Sequence, residues 1–95
     1  MANFVITYDL NGPRPSHKEM DDHLRKLVAN RGRILETVWW VEYSGTAAAL
    51  RDRVKTILGD EDLLLVIEAK SAAWTKLLVD NNALVTAWNK AAKVA

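Results

Sequence analysis

"RILETVWWVEY", residues 33–43, is the stretch on which the fold turns. It contains no glycine or proline and is rich in β-branched and aromatic residues, so it reads as extended chain. Taken as one strand, it leaves a protein of three strands. Bent near its middle, it supplies a short strand around Arg33–Glu36 and a longer one around Val38–Tyr43, and the sheet has four. No Asn-Gly, Asp-Gly or similar two-residue hairpin signal marks a bend. The pattern by itself leaves one strand or a bent pair open.

Upstream, "NFVITYDL", residues 3–10, is also extended. Phe4, Ile6 and Tyr8 share one face, and Val5, Thr7 and Asp9 share the other. Asn11-Gly12-Pro13 ends the strand. Ser16 then reads as a helix N-cap, and Glu19 three residues later makes "SHKE" a capping box. Met20, Leu24, Leu27 and Val28 fall at helical spacing, and Gly32 is expected to close that helix. Downstream, a second helix is expected from about Thr46 to Leu58, striped by Leu50, Val54, Ile57 and Leu58 and stopped by Gly59. Asp62–Ala69, "DLLLVIEA", is a further strand. Ser71 can cap a short helix with Trp74, Leu77 and Leu78. Residues 83–94 read as a last helical segment, with Leu84, Val85, Trp88 and Ala91 along one side. Strands joined by helices suggest an open sheet with helices packed on one face.

Ninety-five residues make one domain. There is no cysteine, so no disulfide framework, thiolate metal site or cysteine nucleophile is expected. That fits a reducing cytoplasm. The beginning, "MANFVITYDL", lacks a basic leader and does not read as a signal peptide. The longest apolar run, Leu63–Ile67, is far too short for a membrane span. Net charge is +1, whereas a dedicated duplex binder shows a stronger basic bias.

Trp39 and Trp40 are neighbours on an extended segment, so their indoles point to opposite faces of the sheet. Trp39 joins Thr37, Val41 and Tyr43, and Trp40 joins Val38 and Glu42. In "LLLVI", Leu63, Leu65 and Ile67 take one side and Leu64 and Val66 the other. Two helices cover one face. The second meets the tail helix, another chain or water. Water is the poorest option, because each large apolar side chain left exposed forgoes about 1.5–3 kcal/mol. A twofold homodimer joined sheet to sheet is expected, with Trp39, Trp40, Val38, Leu64 and Val66 as interface candidates. The alternative is a tail that folds back over the same face.

"FVITYDLN", a helix and then "GRILETVWWV" resemble the small CRISPR-associated adaptation endonucleases and their VapD-like relatives. Within that superfamily the SinR-like branch of bacteria and phages is most similar. Tyr8-Asp9 matches the end of the family's first strand. Gly32, Arg33, Ile34, Thr37, Val38 and Trp39 follow its second motif, with Leu35 and Thr37 replacing the usual Gln and Ser. The arginine-rich opening of the first helix is here "PSHKEMDDHLRK". The resemblance spans roughly residues 3–69. It implies an α+β, ferredoxin-like βαββαβ sheet with helices on one face, over a core of about residues 3–69, followed by a helical tail of about residues 71–94. It also implies a homodimer. In active members, strand-end aspartates of two subunits face each other and hold a divalent metal, so Asp9 is the position at which Mg2+ or Mn2+ is expected if this chain is catalytic.

Asp9 therefore has two readings. It is a catalytic, metal-binding carboxylate paired with its twin, suited to magnesium or manganese and to activating water on a phosphodiester. Or it accepts hydrogen bonds from the amides of the "DLNG" turn, as aspartate commonly does. His17 and His23 lie six apart on one helix and make a poor metal pair. Arg14, Lys18 and Arg33 are the candidate nucleic-acid contacts, set against their reading as ordinary surface charge. No P-loop, dinucleotide glycine fingerprint or HExxH motif is present. Two functions follow: a homodimeric binding or accessory protein with a nucleic-acid or protein partner, or a metal-dependent ribonuclease or deoxyribonuclease built on paired Asp9 residues.

Overall fold

A computed structural model describes residues 2–75, 78, 85 and 86. The chain runs β1 (Ala2–Asp9), α1 (His17–Leu27), β2 (Arg31–Leu35), β3 (Val38–Tyr43), α2 (Ala47–Val54), a 3-10 turn (Lys55–Ile57) and β4 (Leu63–Ala69). The strands form one antiparallel sheet in the order β2-β3-β1-β4. The fold is α+β, and residues 33–43 are a bent pair rather than one strand.

The bend has a physical explanation. Leu35 pairs with Val38, so Glu36 and Thr37 form the connection. The ladder shifts between Arg33 and Leu35, which leaves Ile34 outside the regular pairing. Such an irregularity bends and twists a strand locally. Among the described residues no non-glycine residue has positive φ, so the left-handed turn marked by Asn-Gly is not used here. The Thr37 carbonyl accepts the Tyr8 N–H at 3.2 Å, which ties the connection to the end of β1.

The capping box forms as its sequence requires. Ser16 Oγ accepts the Glu19 N–H at 3.1 Å, and Glu19 Oε1 accepts the Ser16 N–H at 2.9 Å. The helix ends earlier than Gly32 implies. Val28 is its C-cap, with extended backbone and a side chain only 5% exposed. Burying that valine turns the chain out of the helix, and Gly32 becomes a strand residue opposite Trp40. Thr46 caps α2 by accepting the Ala49 N–H at 3.1 Å. The α-helix stops at Val54 and tightens into the 3-10 turn, short of Leu58.

Both helices pack on one side of the sheet. Met20 and Leu24 from α1 and Leu50 and Val54 from α2 share a core with Phe4, Ile6, Tyr8, Trp39 and Val41. His23 links the helices, with Nε2 at 3.2 Å from the Arg53 carbonyl oxygen and 3.1 Å from that of Val54. Both partners are acceptors, so Nε2 carries the hydrogen. After β4, residues 71–75 form no helix, so none starts at Ser71. The Leu78 N–H donates to the Ile34 carbonyl at 3.1 Å, on the edge strand β2. Val85 and Thr86 are helical, and the remainder of the expected tail helix lies outside the described residues.

Candidate functional site

Alternation along the strands divides the sheet into two unlike faces. Phe4, Ile6 and Tyr8 point to the helices, so Asn3, Val5, Thr7 and Asp9 point away from them. Val5 pairs with Trp40 and with Ile67, Thr7 with Val38 and Leu65, and Asp9 with Leu63. These residues make up the outer face. Leu63, Leu65 and Ile67 are 60%, 54% and 45% exposed there, on the edge strand β4. Three large apolar side chains in a row leave much more apolar surface in water than a core strand normally does.

The interface candidates divide between the two faces. Val38 and Trp40 are on the outer face. Trp39 is buried on the helix side, where its indole N–H donates to the Tyr8 hydroxyl at 3.1 Å. Leu64 and Val66 also pack against the helix-side core. On β4, therefore, the outward row is Leu63, Leu65 and Ile67 in place of Leu64 and Val66. A one-residue choice of phase sends every side chain of a strand to the opposite face, and a strand apolar at every position does not reveal that phase. Trp40 is only 4% exposed although it lies on the outer face, and its indole N–H donates to Asn3 Oδ1 at 2.8 Å. That bond explains how Asn3, the one buried polar residue of the described core, satisfies its amide oxygen.

Asp9 closes the outer face at the end of β1 and is exposed. It does not hold the turn. The turn amides belong to Asp62, whose Oδ1 accepts the Asn11 N–H at 2.8 Å and the Gly12 N–H at 3.2 Å. Its Oδ2 accepts the Gly59 N–H at 2.8 Å. Asn11 Nδ2 completes the junction by donating to the Glu61 carbonyl at 2.9 Å. Three backbone donors, those of Gly59, Asn11 and Gly12, hold the Asp62 carboxyl below its usual value. The sequence signal for this was present in "GDED", residues 59–62, beside "DLNG", residues 9–12. Only the pairing of β1 with β4 brings the two together.

The candidate nucleic-acid contacts are separated by their partners. Arg14 is exposed and ion-paired with Glu19, whose carboxyl that guanidinium and the Ser16 N–H hold down to about 2. Lys18 is exposed on the first turn of α1. Arg33 reaches Asp21 of α1 and lies over the Trp39 indole, 5.4 Å from its centroid. His17, Glu36 and Thr37 line a cleft together with Asp21 and Arg33 of that ion pair. Burial raises the Tyr8 phenol above its ordinary value, against the hydrogen bond from Trp39.

A depression of about 160 Å³ beside Asp9 is lined by Thr7, Tyr8, Leu63, Leu64 and Leu65. Among the described residues Asp9 is its only carboxylate, and no group of three or more His, Cys, Asp or Glu that could hold a metal occurs. A divalent ion at Asp9 would take one carboxylate from the described residues of this chain, with water or a second copy filling the remaining positions. None of the described helices is long and apolar enough to cross a membrane. No family model and no curated protein matches the chain.

Proposed function

We propose that this chain is a ferredoxin-like homodimer of the SinR-like and CRISPR-adaptation-like superfamily, acting as a binding or accessory protein. The carrying observation is the exposed row Leu63, Leu65 and Ile67 on the outer face. A second copy is the occupant that best suits it, because a twofold contact sets one apolar row against another. The β2-β3-β1-β4 order, with both helices on one side, supports the ferredoxin-like assignment. Sedimentation equilibrium at micromolar concentration tests the reading. It should give close to twice the chain mass of 10.7 kDa. A monomer across that range would overturn it.

The second reading is a metal-dependent nuclease with Asp9 paired across the dimer axis. One observation favours it. The Asp9 carboxylate is exposed on the same face as the apolar row, and the turn that would otherwise occupy it is served by Asp62. Cleavage of RNA or DNA with Mg2+ or Mn2+, lost in an Asp9→Asn variant that still dimerises, would establish catalysis.

A further inference from the structure

We propose that the cleft between the last turn of α1 and the start of β2 binds a phosphoryl anion through Arg25, Arg31 and Arg33. These three arginines line one open cleft of about 660 Å³, together with Asp21, Gly32, Trp39 and Leu78. The convergence follows from two spacings. Arg31 and Arg33 are two apart on a strand and share the helix-side face, opposite Val41 and Trp39. Asp21 and Arg25 are four apart on α1 and share a helix face.

Among the described residues the cleft lining carries three guanidinium groups and one carboxylate, and that carboxylate is engaged by Arg33. At the rim Asp22 meets Arg25 at 3.3 Å, with both side chains about half exposed, which is a weak contact. Arg31 donates through Nη1 to the Ala29 carbonyl at 2.8 Å and is in no ion pair among the described residues. Each guanidinium presents five N–H donors in a planar fork suited to phosphate, so most of this donor capacity is unused.

The floor of the cleft is preorganised. Arg33 is held between Asp21 and the Trp39 ring. Its Nε and Asp21 Oδ1 are buried without hydrogen-bond partners. Asp21 and Asp22 offset two of the three positive charges, and the remaining excess at Arg31 is what an anion relieves. The volume is within the range of small-molecule sites, and the 67% exposed Leu78 forms an apolar lip. The cleft therefore has room for more than a bare ion, and a nucleoside monophosphate suits its chemistry. It lies on the helix side of the sheet and does not depend on the outer face or on dimerisation.

Calorimetric titration at low ionic strength, with inorganic phosphate in one arm and a nucleoside monophosphate in the other, tests this. At least one arm should saturate with a dissociation constant of about 1 mM or tighter. Arg31→Gln should weaken binding about tenfold, as expected for removing charge-assisted hydrogen bonds. Arg33→Lys, which keeps the charge and removes the fork, should also weaken it, with circular dichroism confirming the fold. Arg51→Gln, an equal loss of charge on α2, should leave it unchanged. Tighter binding of the nucleotide identifies a nucleotide ligand, whereas equal affinity assigns recognition to the phosphoryl group alone. Absence of saturable binding in both arms, or an equal loss in Arg51→Gln, would overturn the proposal.

Discussion

The Asp62 carboxylate accepts the Asn11 backbone N–H at 2.8 Å, joining the turn after β1 to the residue before β4. A single acidic side chain thereby holds two loops that are fifty residues apart in sequence. It also frees Asp9, the acid nearer to the turn along the chain.

Acid sensitivity should follow from this bond and from the capping box. Asp62 and Glu19 both have folded pKa values below those of the unfolded chain. Their stabilisation is therefore complete above the ordinary carboxylate range near about 4 and is lost as pH falls through the folded values. Urea midpoints measured from neutral pH down to about 2 should fall. Asp62→Asn and Glu19→Gln should each lower the neutral-pH midpoint and flatten the acid limb. An unchanged limb in both variants would show that neither carboxylate matters to folding.

The buried bond from Trp39 to Tyr8 makes a second test. Tyr8→Phe leaves the indole N–H without its acceptor in the core and should cost about 1–3 kcal/mol. Trp39→Phe should cost more, because it also opens a cavity and replaces the indole beneath Arg33 with a smaller ring. The double variant should lose less than the sum of the two. Strict additivity in chemical denaturation would mean that the bond contributes nothing.

The two faces of β4 should respond oppositely to charge. Leu65→Asp places a carboxylate where the side chain is already 54% exposed, so it should break self-association and leave a folded monomer. Leu64→Asp drives a charge against the helix-side core and should unfold the chain. Far-UV circular dichroism and sedimentation velocity on both proteins separate the outcomes. A folded Leu64→Asp protein would mean that the phase of β4 is reversed.

Asp9→Asn should change monomer stability by under about 1 kcal/mol, because the side chain is exposed and the turn is held by Asp62. If twin carboxylates face each other without metal, the substitution should strengthen the dimer, since like charges in one site repel. If they hold a metal, millimolar Mg2+ or Mn2+ should raise the melting temperature of the wild type and not of the variant. Calorimetric scans with and without metal distinguish these cases.

Much of the fold was legible because its signals are local. Ser16 and Glu19 specify the start of α1 through bonds spanning one helical turn. Thr46 does the same for α2. The period-two pattern of residues 3–9 fixes which side chains of β1 share a face, since alternation belongs to the strand itself. Trp39 and Trp40 had to separate for the same reason.

What tertiary structure alone decided is which face, which partner and which end. The apolar run Leu63–Ile67 is compatible with either phase, and its ladder with β1 selects Leu64 and Val66 for the core. Gly32 looks like a helix stop, but Val28 is drawn into the core and ends the helix first. One reading of Asp9 makes it the turn's acceptor, until the pairing of β4 with β1 brings Asp62 to the turn amides. Arg25, Arg31 and Arg33 read as scattered surface charge until α1 lies against β2. Each of these depends on long-range pairing, where the energy belongs to the contact and not to either segment alone. Local sequence sets what a segment can form, and the packing of distant segments sets which of its faces is left to function.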